Sequence, residues 1–397
     1  MVVDVVRRAL APLSAWNERR AWPAHARAAV ERNAAGLPAA DPGIDSAIAA
    51  GLDWLGRAQD HSASADGGAA RDYSLLRGWA PSYPETTGYI VPTLLEQAAR
   101  LNRPDLAERA RRMLDWLASI QFPEGGFQGG RVDQTPRVPV TFNTGQILLG
   151  LAAGTEAFGE AYRDPMRRAA DWLVATQDVD GKWSKHPTPF AAPGLKTYET
   201  HVSWGLFEAA RLEPEQPWGT AGLAQVRWAI AQLRPNGWPE HCCLTRPDAP
   251  LTHTLGYTLR GIIEAWRYSR EPFYLDAALR LANGLKGALE RDGRLAGRLD
   301  AQWRPAVPWV CLTGTVQIAH CWLLLFEATG DAAWRDAGRL ANAYVRRSVD
   351  PDHPDPGQRG GVAGSFPIDG DYGRLEFLNW AVKFAIDSWQ AERDPPA

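Results

Sequence analysis

His253, Tyr257 and Arg260 follow one another at four- and three-residue steps, and Tyr198 and His201 stand three apart. Such steps place side chains on one face of a helix. Together these residue types suit removal of a proton beside a carboxylate, as at C5 of a uronic acid. Neutral His or ionised Tyr serves as base, Arg meets the charge that grows on the enolate, and a second Tyr donates a proton in return. Leaving such groups buried and unpaired is costly, which speaks against simple core filling. The plainer alternative is a belt of hydrogen-bonded rings. Glu85 lies in the run Pro81-Ser82-Tyr83-Pro84-Glu85-Thr86-Thr87-Gly88-Tyr89, Asn143 and Gln146 offer amides, and Glu376, Asn379 and Lys383 stripe an otherwise apolar segment.

Acidic residues recur at the ends of the apolar segments that carry these groups: Glu96, Glu208, Glu264, Glu327 and Asp387. Arg100, Arg211 and Arg267 follow three of them at helix-pairing distance, which makes the acids structural. Seven residues before each acid stands a ring: Tyr89, His201, Tyr257, His320 and Trp380. Two helical turns keep one face, so these rings are expected to form a belt at one level. Trp204 accompanies His201. The candidate catalytic residues are therefore His201, Tyr257, His253 and Tyr89. The candidate substrate contacts are Arg260, Asn143, Gln146, Tyr198, Glu85, Trp204, His320, Glu376, Asn379 and Lys383.

The elements that must position these groups repeat. LDWLGRAQDHSASADGG (52–68), LDWLASIQFPEGGFQGG (114–130) and ADWLVATQDVDGKWS (170–184) share a helix end, Trp-Leu-x-x-x-Gln, and a polar loop rich in glycine. Looser copies occupy 228–241, 282–297 and 341–364, at a spacing of about 56 residues. That length holds two helices and their connections. The helices after each loop, starting near Thr86, Asn143, Thr200, Thr252, Thr313 and Glu376, are apolar nearly all round and should lie inside. The Trp-Leu helices carry Arg and Glu on one face and should lie outside. The chain opens with an outer helix (45–59) and closes with an inner one (375–390), so its ends can pair. The expected fold is all-α, an (α/α)6 toroid over 41–392 with a helical lead-in at 1–40. Six inner-helix N-termini would then point their free N–H groups into one funnel, a setting that favours anionic groups.

Ala170 to Gln177 leading into Gly181-Lys182-Trp183 resembles the Gln-Trp repeat of squalene and terpenoid cyclases, which protein prenyltransferase β-subunits share in looser form. Gln121 to Phe127 is similar, with Phe for Trp. The resemblance implies a scaffold in which the Gln caps the outer helix and the Trp packs between hairpins. It does not carry over the chemistry. The Asp-x-Asp-Asp acid of the cyclases has no counterpart, Asp178-Val179-Asp180 and Asp369-Gly370-Asp371 being the nearest approaches. Toroids of this kind also resemble polysaccharide lyases, glycoside hydrolases and uronyl epimerases. The expectation is a lyase or C5-epimerase acting on an acidic glycan. The alternatives are a glycoside hydrolase, whose carboxyl pair would come from Glu85, Glu376 and Asp371, an isoprenoid enzyme, and a non-catalytic glycan-binding toroid.

Composition narrows the classes. The chain has 397 residues, 45% of them hydrophobic, a net charge of −3 and 18 Trp. That balance offers no general pull toward nucleic acid or anionic membrane. Cys242, Cys243, Cys311 and Cys321 form no disulfide framework. His241-Cys242-Cys243 looks metal-like, but adjacent side chains rarely ligate one ion together. No metal or cofactor is expected. No apolar run is long enough to span a bilayer and no secretory leader is evident, so the expected location is the cytoplasm. The N-terminal segment MVVDVVRRALAPLSAWNERRAW is read as a solvated lead-in helix, with peripheral docking as the alternative.

Overall fold

Helices that are apolar all round alternate with amphipathic ones along the whole chain, and the structure, a computed structural model describing residues 19–394, arranges them as two concentric rings. A lead-in helix α1 (Ala24–Ala34) precedes the rings. The outer helices are α2 (Ile44–Asp60), α4 (Pro104–Ile120), α6 (Arg163–Thr176), α8 (Trp218–Ile230), α10 (Pro272–Gly287) and α12 (Ala332–Arg346). The inner helices are α3 (Pro84–Leu101), α5 (Thr141–Phe158), α7 (Thr200–Leu212), α9 (Thr252–Ser269), α11 (Leu312–Thr329) and α13 (Asn379–Arg393). Each inner helix packs on the next, and α13 packs on both α3 and α2, so the ring closes. Ile386 and Val382 of α13 lie against Gly51 of α2 at the seam. The fold is the (α/α)6 toroid that the repeat implies.

Glycine lets inner helices touch backbone to backbone. A Cβ on Gly150 would stand 2.2 Å from the Gly88 carbonyl oxygen, one on Gly205 2.4 Å from that of Gly145, and one on Gly261 2.2 Å from that of Thr200. A second glycine series holds the outer ring. Gly125, Gly181, Gly237, Gly293 and Gly360 all have positive φ, and each presses on a carbonyl of the following outer helix: Arg168, Ala224, Arg280, Leu340 and Ala50. The last of these contacts returns to α2, so the sixth loop docks on the first hairpin as every other loop docks on its successor. A Cβ on Gly125, at φ +105°, would meet the Arg168 oxygen at 2.2 Å. Left-handed backbone alone costs an L-residue about 1–2 kcal/mol. Gly125→Ala is therefore expected to destabilise the protein by about 2 kcal/mol or more, read as a lower denaturant midpoint.

The repeat glutamines work differently from a helix cap. Gln121 Nε2 donates to Gly125 O at 2.8 Å and to Pro165 O of α6 at 3.0 Å, and Gln177 Nε2 donates to Gly181 O at 2.7 Å and to Ala221 O of α8 at 2.9 Å. Gln59 repeats the pattern with Gly67 O and Arg109 O. Each amide ties its own loop to the next hairpin, which corrects the capping expectation. The Trp183 indole donates to Leu173 O at 2.9 Å inside the core.

Short strands stiffen the loops at the mouth. β1 (Asp72–Ser74) pairs with β2 (Gly78–Trp79) and with β5 (Glu376–Leu378), while β3 (Val310–Cys311) pairs with β4 (Ser365–Phe366). The β1–β5 pair joins the first loop to the last and closes the ring a second time. It also moves the start of the last inner helix: Glu376 stands in β5, and α13 begins at Asn379. The lead-in α1 packs on these loops. Its His25 ring meets Leu75 O at 2.7 Å, and Asn33 Oδ1 accepts from the Ile368 N–H at 2.7 Å. The N-terminal segment read as a solvated lead-in helix, with peripheral docking as the alternative, lies mostly outside the described residues. No described helix is long and apolar enough to cross a membrane.

Candidate functional site

The inner-helix N-termini and their loops surround a cavity of about 240 Å³. Glu85 enters at the start of α3, Asn143 on the first turn of α5, Tyr198 from the turn before α7, and His253 and Tyr257 from α9. Arg71, Tyr83, Phe142, Tyr372 and Trp380 complete much of the wall. Tyr89, Tyr257, His201 and Phe384 close the floor. Ring centroids are 4.4 Å apart for His201 and Tyr257, 5.2 Å for Tyr89 and Phe384, and 6.0 Å for Tyr257 and Phe384. A closed floor makes this a pocket for the end of a molecule and not a channel for a through-going polymer.

Glu85 is the strongly perturbed carboxyl on the wall. Asn143 Nδ2 donates to its Oε2 at 2.8 Å. Burial pushes its carboxyl up to about 8, against the opposing pull of Tyr83 and Arg71. A buried carboxylate that lacks a full ion pair takes a proton instead. At neutral pH Glu85 is thus an acid that holds its proton in contact with the cavity.

His253 is the complementary group. Burial presses it down to about 4, so the ring is neutral. Its Nδ1 lies 2.7 Å from Gln317 Oε1. With the amide oxygen facing the ring, Nδ1 carries the hydrogen and Nε2 keeps its lone pair, the form a base requires. The Tyr257 ring packs against it at 4.4 Å.

The buried hydroxyls of Tyr89 and Tyr257 lie beside each other and meet no well-formed hydrogen bond among the described residues. Burial raises both phenols well above their ordinary range. This corrects the assignment of an ionised Tyr as base: both phenols stay protonated and donate. Removing an unsatisfied hydroxyl costs no partner, so Tyr257→Phe should leave stability unchanged or raise it by about 1 kcal/mol. The same change should lower turnover about 10²-fold, the usual cost of losing one donor to a developing charge. Chemical denaturation and steady-state kinetics on the same variant check both halves.

Other expected site residues lie elsewhere. Arg260 points below the floor into a second cavity of about 430 Å³ at the inner-helix C-termini, together with Trp204, His320 and Lys383. Arg260 is three residues past Tyr257, nearly a full turn down the helix, and that step carries it across the floor. Its guanidinium donates to Glu264 at 2.7 Å, meets His320 Nδ1 at 3.3 Å and stacks 3.9 Å over Trp204. His320 therefore leaves the level of Tyr89, His201 and Tyr257. His201 is buried in the floor, with Nδ1 2.6 Å from Gln146 Oε1. Burial, with Arg260, Lys383 and His253 nearby, holds it well below its ordinary value.

The expected stripe on the last helix divides three ways. Glu376 binds Arg71 and Arg77 at 3.0 and 2.6 Å. Asn379 Nδ2 donates to Ala70 O and Thr86 Oγ1 at 2.8 Å each. Lys383 pairs with Asp387 at 2.6 Å in the lower cavity. The helix pairs Arg100–Glu96 and Arg267–Glu264 form as expected, at 2.8 and 3.1 Å, and Arg211 pairs with Glu208. His241 is exposed while Cys242 and Cys243 are buried, so the three face different surroundings.

Arg71, Phe142 and Tyr372 line the mouth without having been singled out. Arg71 and Tyr372 come from loops, where no periodicity marks them. Arg71 Nη1 bridges Asp72 at 2.5 Å and Glu376 at 3.0 Å, and its guanidinium lies 5.1 Å over the Trp380 ring.

No known family's sequence profile matches the chain. Squalene–hopene cyclase of Bradyrhizobium diazoefficiens is 25% identical over 245 residues, 58% of this chain and 32% of the cyclase. The chain thus spans about a third of that relative's length. Among solved structures, the unsaturated glucuronyl hydrolase of Bacillus sp. GL1, described as responsible for degradation of glycosaminoglycan, superposes with a TM-score of 0.69 at 14% identity, covering 88% of this chain and 96% of that one. Cellobiose 2-epimerase of Bacillus thermoamylovorans gives 0.70 at 11% identity, over 87% and 97%. At such identities the likeness to these two sugar enzymes is one of fold, the α/α toroid.

Proposed function

We propose that the chain is a carbohydrate-active enzyme that takes the end of a glycan into the N-terminal mouth and protonates it from Glu85. The observation that carries this reading is a buried carboxyl, pushed up to about 8 by that burial, on the wall of a pocket lined by aromatic rings. Rings suit the apolar faces of a sugar, and the convergent Glu85, Asn143, Tyr257 and His253 supply the few polar groups that orient one. At about 240 Å³ the mouth cavity, below the roughly 300 Å³ where pockets for drug-sized ligands begin, by itself fits a single ring. Similarity of fold to a glucuronyl hydrolase and a sugar epimerase agrees with this, although fold alone does not fix chemistry.

A protonated acid of this kind can donate to a glycosidic oxygen, or to the carbon of an enol ether such as an unsaturated uronate carries. Either step leaves an oxocarbenium centre for water to capture, with His253 Nε2 placed as the base that takes the water's proton. A second reading keeps the expected C5 or C2 proton abstraction. There His253 Nε2 removes the carbon-bound proton and Glu85 donates to the oxygen on which charge develops. The fixed tautomer of His253 favours it. Arg260 has no part in either route, and Arg71 is already held by two carboxylates.

The deciding experiment incubates the protein with unsaturated uronyl disaccharides, neutral disaccharides and saturated uronate oligosaccharides in deuterated water. Loss of the conjugated double bond's ultraviolet absorbance, or release of a free sugar from a neutral disaccharide, marks the first route, and deuterium at a ring carbon of a saturated sugar whose glycosidic bond stays intact marks the second. Neither signal, together with saturable binding of an isoprenoid diphosphate, would sink the carbohydrate reading.

A further inference from the structure

A third cavity, of about 380 Å³, adjoins the mouth, and Phe142, Thr188 and Tyr198 line both. The proline-rich loop Pro187–Lys196 and the Trp183 ring form its other walls. Two groups on this wall differ from the buried cations of the lower cavity discussed above. Arg260 and Lys383 spend their charges on Glu264 and Asp387. Lys196 is 8% exposed and Glu199 6%, yet neither side chain has a hydrogen bond or ion pair with a described residue. Buried polar groups are normally satisfied, so a buried ammonium and a buried carboxyl that both lack partners and both face one cavity point to a ligand that completes them.

We infer that this cavity is a second sugar subsite, which seats an anionic substituent, carboxylate or sulfate, on Lys196 Nζ with the Glu199 carboxyl donating beside it. The inference rests on the reading of the mouth as a glycan site. It adds that the substrate is at least a disaccharide and that its second unit is acidic. Burial pushes Glu199 up to about 8, with Lys196 opposing, and lowers Lys196, so near neutral pH the carboxyl is a donor and a bound anion is the counter-charge that holds Lys196 as an ammonium. An anion accepts from both groups, whereas a neutral sugar leaves the ammonium charge without a counter-charge. The Trp183, Phe142 and Tyr198 rings provide the apolar surface on which a sugar face can lie.

Calorimetry on the full chain tests this with three disaccharides that share a first glucosyl unit and carry a neutral, a uronic or a 6-sulfated second sugar. Wild type is expected to bind the two acidic forms about tenfold or more tightly than the neutral one, the effect of one charge-assisted hydrogen bond. Comparing the uronic and sulfated forms tells which anion the subsite takes. Lys196→Met should erase the preference, and Lys196→Arg should restore part of it. Glu199→Gln keeps a donor and should retain the preference, while unchanged binding of the neutral disaccharide by Lys196→Met shows that its loss of preference is not a loss of folding. Equal binding of all three by wild type, or a preference that survives Lys196→Met, would overturn the subsite and leave the reading of the mouth intact. Failure of wild type to bind any disaccharide would remove both.

Discussion

Glu85→Gln is expected to abolish turnover by about 10²–10⁴-fold in kcat while leaving glycan binding within a fewfold of wild type, because a positioned general acid contributes that much to a rate. The amide preserves shape, and with Asn143 Nδ2 only 2.8 Å from the carboxyl the amide oxygen can still accept there. What it loses is the transferable proton. The pH profile provides a sharper criterion than the rate alone. Glu85 holds its proton up to about 8, and His253 sheds its own at about 4. The active form carries neutral His253 and protonated Glu85. kcat/KM should therefore rise as pH climbs through about 4, hold a plateau, and fall as Glu85 ionises through about 8. In Glu85→Gln the upper limb should vanish from the residual activity on a substrate whose second sugar is neutral, where Glu199, also pushed up to about 8, has no anion to assist. A descending limb that persists unchanged in the variant would show that some other group is the acid.

How far this site could be read from the residues depends on where each group sits. The repeat was legible because closing a ring of hairpins reuses its devices: the loop glycine and the buried inner helix each time, and the bridging Gln in the first three repeats. Glu85, Asn143, Tyr198, His253 and Tyr257 were legible because they fall in the first turns of inner helices or just before them, where the mouth must be. Arg260 misled because helical spacing fixes the face of a residue and not its depth. Three residues separate it from Tyr257, and a floor of rings lies in that interval. Arg71 and Tyr372 were invisible, since they reach the mouth through the β1–β5 ladder and the last loop. A pairing of residues some 300 apart leaves no local pattern. The protonation of Glu85 was beyond the sequence too, because it follows from burial and from the prior engagement of Arg71 by Asp72 and Glu376.

The same gap between pattern and depth yields the largest expected effect on stability. Glu96 and Glu264 hold equivalent places in the repeat, each with an Arg three or four residues on, and by sequence both are surface helix pairs. The structure separates them. Glu96 has a side chain 46% exposed and should contribute under about 1 kcal/mol through its pair with Arg100. Glu264 is fully buried, accepting from Arg260 at 2.7 Å and Arg267 at 3.1 Å. Burial works against its charge, yet the two guanidinium groups hold it below the usual carboxylate range. Glu264→Gln keeps the volume but leaves Arg260, itself only 11% exposed, without a counter-charge. Breaking a buried pair from one side costs about 3–5 kcal/mol, since the remaining charge stays desolvated. Denaturant unfolding should thus show a large drop in midpoint for Glu264→Gln at unchanged slope, and a change within about 0.5 kcal/mol for Glu96→Gln. Turnover per folded molecule should be little changed in both, because the floor of Tyr89, His201, Tyr257 and Phe384 stands between this ion cluster and the mouth. A selective collapse of activity in Glu264→Gln, with stability intact, would return Arg260 to the chemistry and displace Glu85 from its centre.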